Sequence, residues 1–152
     1  MQPLPDLEQQ TITQVFTTFL SLMGKDIQAC VDLFTENAVV EFPYASDTPN
    51  RLEGKEAIYK YMKNALAQMQ NLVFTNLRVY PTSNPNVLLA ESRGEAVIVS
   101  TGCHYQQDYV IRLETWEGKI IHYREYWNPM SALKAWGSTQ NLCQSFNADD
   151  AE

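Results

Sequence analysis

In the stretch GKIIHYREYWNP, Gly118 to Pro129, a period of two places Glu125 on the same side as Ile121, Tyr123 and Trp127. A carboxyl held among rings loses hydration, which penalises its charged form and lifts its pKa above the ordinary ~4.3. Such an acid carries a proton near neutrality and suits general acid or base chemistry; the alternative is a core acid satisfied by tyrosine or glutamine hydrogen bonds. The preceding run, His104 to Trp116, puts Tyr105, Gln107, Tyr109, Ile111 and Leu113 on one face and His104, Gln106, Asp108, Arg112 and Glu114 on the other. Across the short EG connection the first of these faces pairs with that of Glu125. Tyr105, Gln107 and Tyr109, together with Tyr61 from an earlier helix, could present hydroxyl and amide groups to a ligand or to Glu125, or else be ordinary core residues. Phe16, Phe42, Met62 and Trp127 are expected as apolar walls, with Tyr123 beside the acid, and Tyr44 with the loop to Arg51 as a rim. Within ESRGEA, the small residues Ala90, Ser92, Gly94 and Ala96 are read as facing inward and Glu91, Arg93 and Glu95 outward; a one-residue slip would turn Glu91 into a second inner carboxylate.

Other chemistries find little support. His104 and His122 are the only histidines, and neither has a second histidine or a carboxylate at ligand spacing on a shared helix, so no metal site is expected. Cys30, Cys103 and Cys143 are far apart, with no CxxC pair, and read as reduced thiols. A net charge of −7, with eleven basic residues scattered along the chain, disfavours nucleic acid. No apolar run approaches the ~20 residues of a membrane span, and MQPLPDLEQQ lacks the basic and apolar regions of a signal peptide, so a cytoplasmic protein with no membrane contact is expected. No nucleotide-binding loop is present and proton transfer beside a carbonyl needs no cofactor, so none is expected. An apolar or aromatic small molecule is the expected partner.

The elements that must position these residues follow from periodicity. Asp6 and Gln9 resemble a capping box ahead of Ile12, Val15, Phe16, Phe19, Leu20 and Met23, a helix that Gly24 ends. Asp26 caps a second helix with the face Ile27, Cys30, Val31 and Phe34. Val39 to Phe42 reads as a short strand, and Ala57 to Met69 as a third helix after a polar loop. Val73 to Tyr80, Val87 to Val99, His104 to Trp116 and Lys119 to Trp127 read as four strands joined by hairpins. Asn128 and Pro129 open a last helix that Gly137 closes. At 152 residues and 45 % hydrophobic content the chain is expected to form one domain over residues 1–137, with 138–152 a polar tail. The class is α+β: a curved, cone-like antiparallel sheet against three helices from the N-terminal half, plus a short C-terminal helix.

The element order, together with VDLFTENAVVEFPYA, RLEGKEAI and GKIIHYREYWNP, resembles the nuclear-transport-factor-2-like superfamily in its SnoaL-like, ketosteroid-isomerase-related branch. ESRGEA, YQQDY, REYWN and LKAWG resemble most the phenazine-biosynthesis A/B proteins. The steroid isomerase base falls at Phe42 and the oxyanion tyrosine at Phe16, while the second acid falls at Tyr109 or Ile111, so that triad is not implied. The glutamate of the phenazine proteins falls at Glu125, and their pocket histidine at Tyr61. The resemblance implies a cyclase, isomerase or condensation catalyst acting on a carbonyl-containing cyclic or aromatic metabolite, with Glu125 as general acid or base. Its alternative is a non-catalytic binding or accessory protein. A homodimer through the outer sheet face is expected as well, where Ile120, Tyr126 and Val110 interrupt polar residues.

Overall fold

The structure, a computed structural model, describes residues 7–46 and 48–146. Asp6 of the expected capping box and the last residues of the expected tail, 147–152, lie outside the described residues. Helix α1 (Leu7–Leu22) buries Ile12, Phe16 and Phe19 on one side. A short α2 (Ile27–Val31) follows, where Asp26 accepts a hydrogen bond from the Ala29 amide. Phe34, expected at the end of that helix, instead begins strand β1 (Phe34–Glu41). β2 (Arg51–Glu53) is a three-residue strand inside the segment read as loop. Helix α3 (Lys55–Ala67) turns Ile58, Met62 and Ala65 inward. Met69, read as its last residue, opens β3 (Met69–Pro81), after which come β4 (Val87–Ile98), β5 (His104–Trp116) and β6 (Lys119–Tyr126).

These strands form one six-stranded sheet in the order β2-β1-β6-β5-β4-β3. The four hairpin strands pair antiparallel as expected, whereas β1 lies parallel to β6, from which β2, α3 and β3 to β5 separate it in the chain. On β4 the small residues Ala90, Ser92 and Ala96 are buried, Glu91 is exposed, and Arg93 and Glu95 are partly exposed. Glu95 instead meets Arg93 at 3.5 Å on the outer side. On β3, Asn71 and Asn76 adopt left-handed backbone (φ 57 and 54) where the register with β4 shifts, which breaks the regularity of this edge strand.

A further shift corrects the parity expected for β6. Glu114 pairs with His122 and Thr115 with Ile120, so Ile121 is an extra residue in a bulge. The inward row is therefore Ile120, Tyr123 and Glu125. Ile120, expected on the outer face, is fully buried in the core.

Helix α4 (Pro129–Trp136) starts where Asn128 Oδ1 accepts from the Met130 amide and ends at Gly137, whose φ of 86 suits the left-handed cap. The expected polar tail is corrected beyond it: Thr139–Phe146 form helix α5. Its composition is polar, but Leu142 and Ser145 are buried, and Trp136 Nε1 donates to Ser145 Oγ at 3.0 Å. Among the described residues no helix is long and apolar enough to cross a membrane.

Candidate active site

The inner face of the sheet, α3 and the two C-terminal helices surround a cavity of about 110 Å³. Tyr105 and Tyr109 reach it from β5, and Tyr123 and Glu125 from β6. Phe42, Tyr61, Met62 and Trp127 also line it, so eight of the ten residues singled out by sequence meet in one place. Phe42 and Tyr61 stack with ring centroids 4.9 Å apart.

Two do not reach it. Phe16 is fully buried in the core, and the cavity is met further along the chain, by Phe19 one turn on and by Met23 just past the end of α1. Gln107 lies behind Tyr105 and engages the protein itself: its Nε2 donates to Tyr105 Oη at 3.1 Å and to the Asn128 carbonyl at 2.8 Å. Tyr44, read as a rim residue, is 58 % exposed and packs edge-on against Tyr126 at an outer groove instead.

Sequence reasoning missed the far wall. Leu142 and Phe146 from α5 line the cavity, and Phe146 packs on both Tyr61 and Trp136, at centroid distances of 5.4 and 5.6 Å. The available signal was the four-residue spacing of Leu142 and Phe146, which sets them on one helix face. Phe74 of β3 also lines the cavity, past the ring of Tyr109.

Glu125 sits opposite Ile111 in the β5–β6 register, is half-buried and lines the cavity. Removal from bulk water pushes its carboxyl up to about 7, against the opposing effect of a hydrogen bond donated by Tyr123 Oη to Oε1 at 3.4 Å. Among the described residues, none lining the cavity is Lys, Arg or His, so no cation offsets that desolvation. The same burial, reinforced by the nearby Glu125 charge, holds the Tyr61, Tyr109 and Tyr123 hydroxyls well above their usual range. They stay protonated and act as donors.

The histidines lie elsewhere. His122 bonds to Glu41 through Nε2 and faces Arg112 through Nδ1 at 3.1 Å, on the outer side of the sheet. The hydrogen bond from His122, helped by Arg124, holds the Glu41 carboxyl below its ordinary value. His104 is exposed near Glu95. Among the described residues no group of three His, Cys, Asp or Glu side chains could hold a metal ion.

Residues 14–123 match the family model described as a SnoaL-like domain. The chain is 40% identical over 119 residues to the uncharacterized protein YesE of Bacillus subtilis, spanning 78% of this chain and 81% of that one. It is 34% identical over 120 residues to a PhzA/B-like protein of Pseudomonas aeruginosa, spanning 78% and 84%. A solved structure from Bacillus subtilis, provisionally assigned as an isomerase, superposes with a TM-score of 0.81 at 37% identity, over 87% of this chain and 96% of that one.

Proposed function

The chain belongs to the SnoaL-like domain family of the nuclear-transport-factor-2-like superfamily, and from that premise we propose that it is a small-molecule cyclase, isomerase or condensation catalyst with Glu125 as its general acid or base. The observation that carries this reading is the position of Glu125: a carboxyl with a pKa of about 7, lining an apolar cavity with tyrosine hydroxyls around it. A group that titrates near neutrality is available in both protonation states, which suits a proton carrier. The absence of lining cations among the described residues argues for a neutral substrate, since a carboxylate or phosphate would be desolvated there without a partner. The ring-rich walls favour a cyclic or aromatic skeleton, and a carbonyl supplies both an acidic neighbouring C–H and an oxygen that buried tyrosines can bind.

As base, ionised Glu125 removes a proton from the carbon beside the carbonyl; the C–H pair becomes the enolate double bond and charge moves to oxygen. Where a C=C bond adjoins that carbon, return of the proton to the far end of the resulting dienolate shifts the double bond and completes an isomerisation. As acid, protonated Glu125 delivers its proton to a carbonyl oxygen while a nucleophile within the same substrate bonds to the carbonyl carbon. The proton that the nucleophile then loses restores Glu125. The similarity to a structure provisionally assigned as an isomerase supports this class of chemistry.

The test uses β-tetralone in heavy water, with proton NMR following exchange of the protons beside its carbonyl. Exchange catalysed by the wild type and lost in Glu125→Gln, with probe affinity retained, supports the proposal. Equal exchange in both proteins removes Glu125 from the chemistry. Binding with no catalysed exchange in either protein favours a binding or accessory role.

A further inference from the structure

Gln107 is almost fully buried, yet it touches no part of the cavity. Its amide orientation is fixed by backbone. The Asn128 N–H donates to Gln107 Oε1 at 2.9 Å, while the Asn128 carbonyl accepts from Nε2 at 2.8 Å. A backbone N–H cannot accept and a carbonyl cannot donate, so the flipped amide would face two mismatched partners. Nε2 is therefore the atom 3.1 Å from Tyr105 Oη, and it donates there. Accepting from Nε2 polarises the Tyr105 hydroxyl and makes it the better donor of the pair, and among the described residues its one remaining protein partner is Tyr109 Oη at 3.3 Å. Tyr109 then accepts from Tyr105. Its own proton has no protein acceptor among the described residues, and the residue lines the cavity.

Tyr109 is also held in place by what lies under it. A Cβ at Gly94 would stand 2.8 Å from Tyr109 Cε2 and 3.4 Å from Phe74 Cε1, so the missing side chain is the seat of the Tyr109 ring. Gly94 has no left-handed backbone to explain it.

We propose that Gln107 is a positioning residue that, through Tyr105, makes Tyr109 a one-way hydrogen-bond donor into the cavity and thereby selects ligands with an acceptor oxygen at that place. This rests on the reading of the cavity as a ligand site and deepens it. The polarity originates in the backbone at Asn128, the residue that caps α4, so the direction of the donor is set from outside the cavity. The two ends of the site then differ. Tyr109 donates whether or not Glu125 is ionised, whereas Glu125 donates or accepts according to its own proton.

The experiment compares two probes of nearly equal shape, acetophenone and α-methylstyrene, in which a C=CH2 group replaces the C=O. Wild-type protein should bind acetophenone about tenfold more tightly, the size of one well-made hydrogen bond in a dry site. The infrared carbonyl band of bound, isotope-labelled acetophenone should lie below its position in a hydrocarbon solvent. Tyr109→Phe, which keeps the ring on Gly94, should abolish both the discrimination and the band shift. Gln107→Leu and Tyr105→Phe each disconnect the chain, and both should reduce the shift with Tyr109 still present; a residue that merely supported the fold would not move that band. Tyr105→Phe provides the answer if Gln107→Leu does not fold. Equal affinity for the two probes in the wild type, or an unshifted band, overturns the inference and leaves the ligand cavity standing. A band unchanged in Tyr105→Phe overturns the role of Gln107. Failure of the wild type to bind either probe overturns the ligand-site reading and this inference with it.

Discussion

A carboxyl with a pKa of about 7 in the folded chain and near 4.5 when unfolded lowers stability as pH rises between those values, because the unfolded chain releases the proton first. Below the lower value both states hold the proton and there is no penalty; above the upper value the penalty is complete, at about 3 kcal/mol. Glu125→Gln should accordingly leave stability near pH 4 almost unchanged and raise it by up to that amount at about pH 8, as read by urea unfolding at the two pH values. Equal effects at both would show that the carboxyl titrates alike in the folded and unfolded chain, and a substitution that destabilises at pH 8 more than at pH 4 would show an ionised, paired carboxylate. Gly94 makes a second prediction at this scale. Gly94→Ala places a methyl 2.8 Å from the Tyr109 ring, and overpacking of this kind costs about 1–3 kcal/mol. A lowered melting temperature together with weakened acetophenone binding is expected, and an unchanged protein would mean that the ring moves freely.

Among the elements, α5 connects the site to the end of the described chain. Ser145 Oγ accepts from Trp136 Nε1 at 3.0 Å, both side chains are buried, and Phe146 stacks beyond them on Tyr61. Ser145→Ala leaves the indole N–H without that partner, which costs about 1–3 kcal/mol. Loosened packing of α5 should be visible as faster dissociation of acetophenone in stopped-flow tryptophan fluorescence; an unchanged dissociation rate would show that α5 is no barrier to exit. This helix also shows where sequence reading stops. β5 and α4 were legible to the residue, β5 because thirteen residues alternate without interruption and α4 because asparagine, proline and glycine each have a backbone reason to stand at its ends. α5 has a polar composition and only eight residues, and the tryptophan that makes its inner face meaningful belongs to another helix. The site was legible for the same reason as β5, since Tyr105, Tyr109, Tyr123 and Glu125 obey strand parity. Gln107 obeys it too but misses the cavity, because the turn at Asn128 supplies partners that parity does not reveal.

For the whole molecule, we propose a homodimer through the outer face of the sheet. Ile120 does not contribute, being buried, but Tyr80, Leu89 and Val110 remain 43%, 41% and 46% exposed there, with Tyr80 paired to Leu89 and Val110 to Tyr126 across the strands. Light scattering should give twice the 17.4 kDa chain mass at micromolar concentration, and the mass of a single chain would reject the proposal. The bulge at Ile121 has a consequence for how such a chain can change. The EG turn, with Glu117 and Gly118 both at positive φ, sets the phase of β6 from one end, and the extra residue shifts that phase by one before the strand reaches the site. Were the bulge ironed out, with Ile121 paired into the ladder and the turn kept, the lattice of pairs would bring Arg124 opposite Ile111 at an inner position and turn Glu125 toward solvent. Point substitutions can therefore explore this strand one chemistry at a time, whereas a change of a single residue in length between the bulge and Glu125, with the bulge kept, exchanges an acid for a base and leaves a buried cation without a counter-ion.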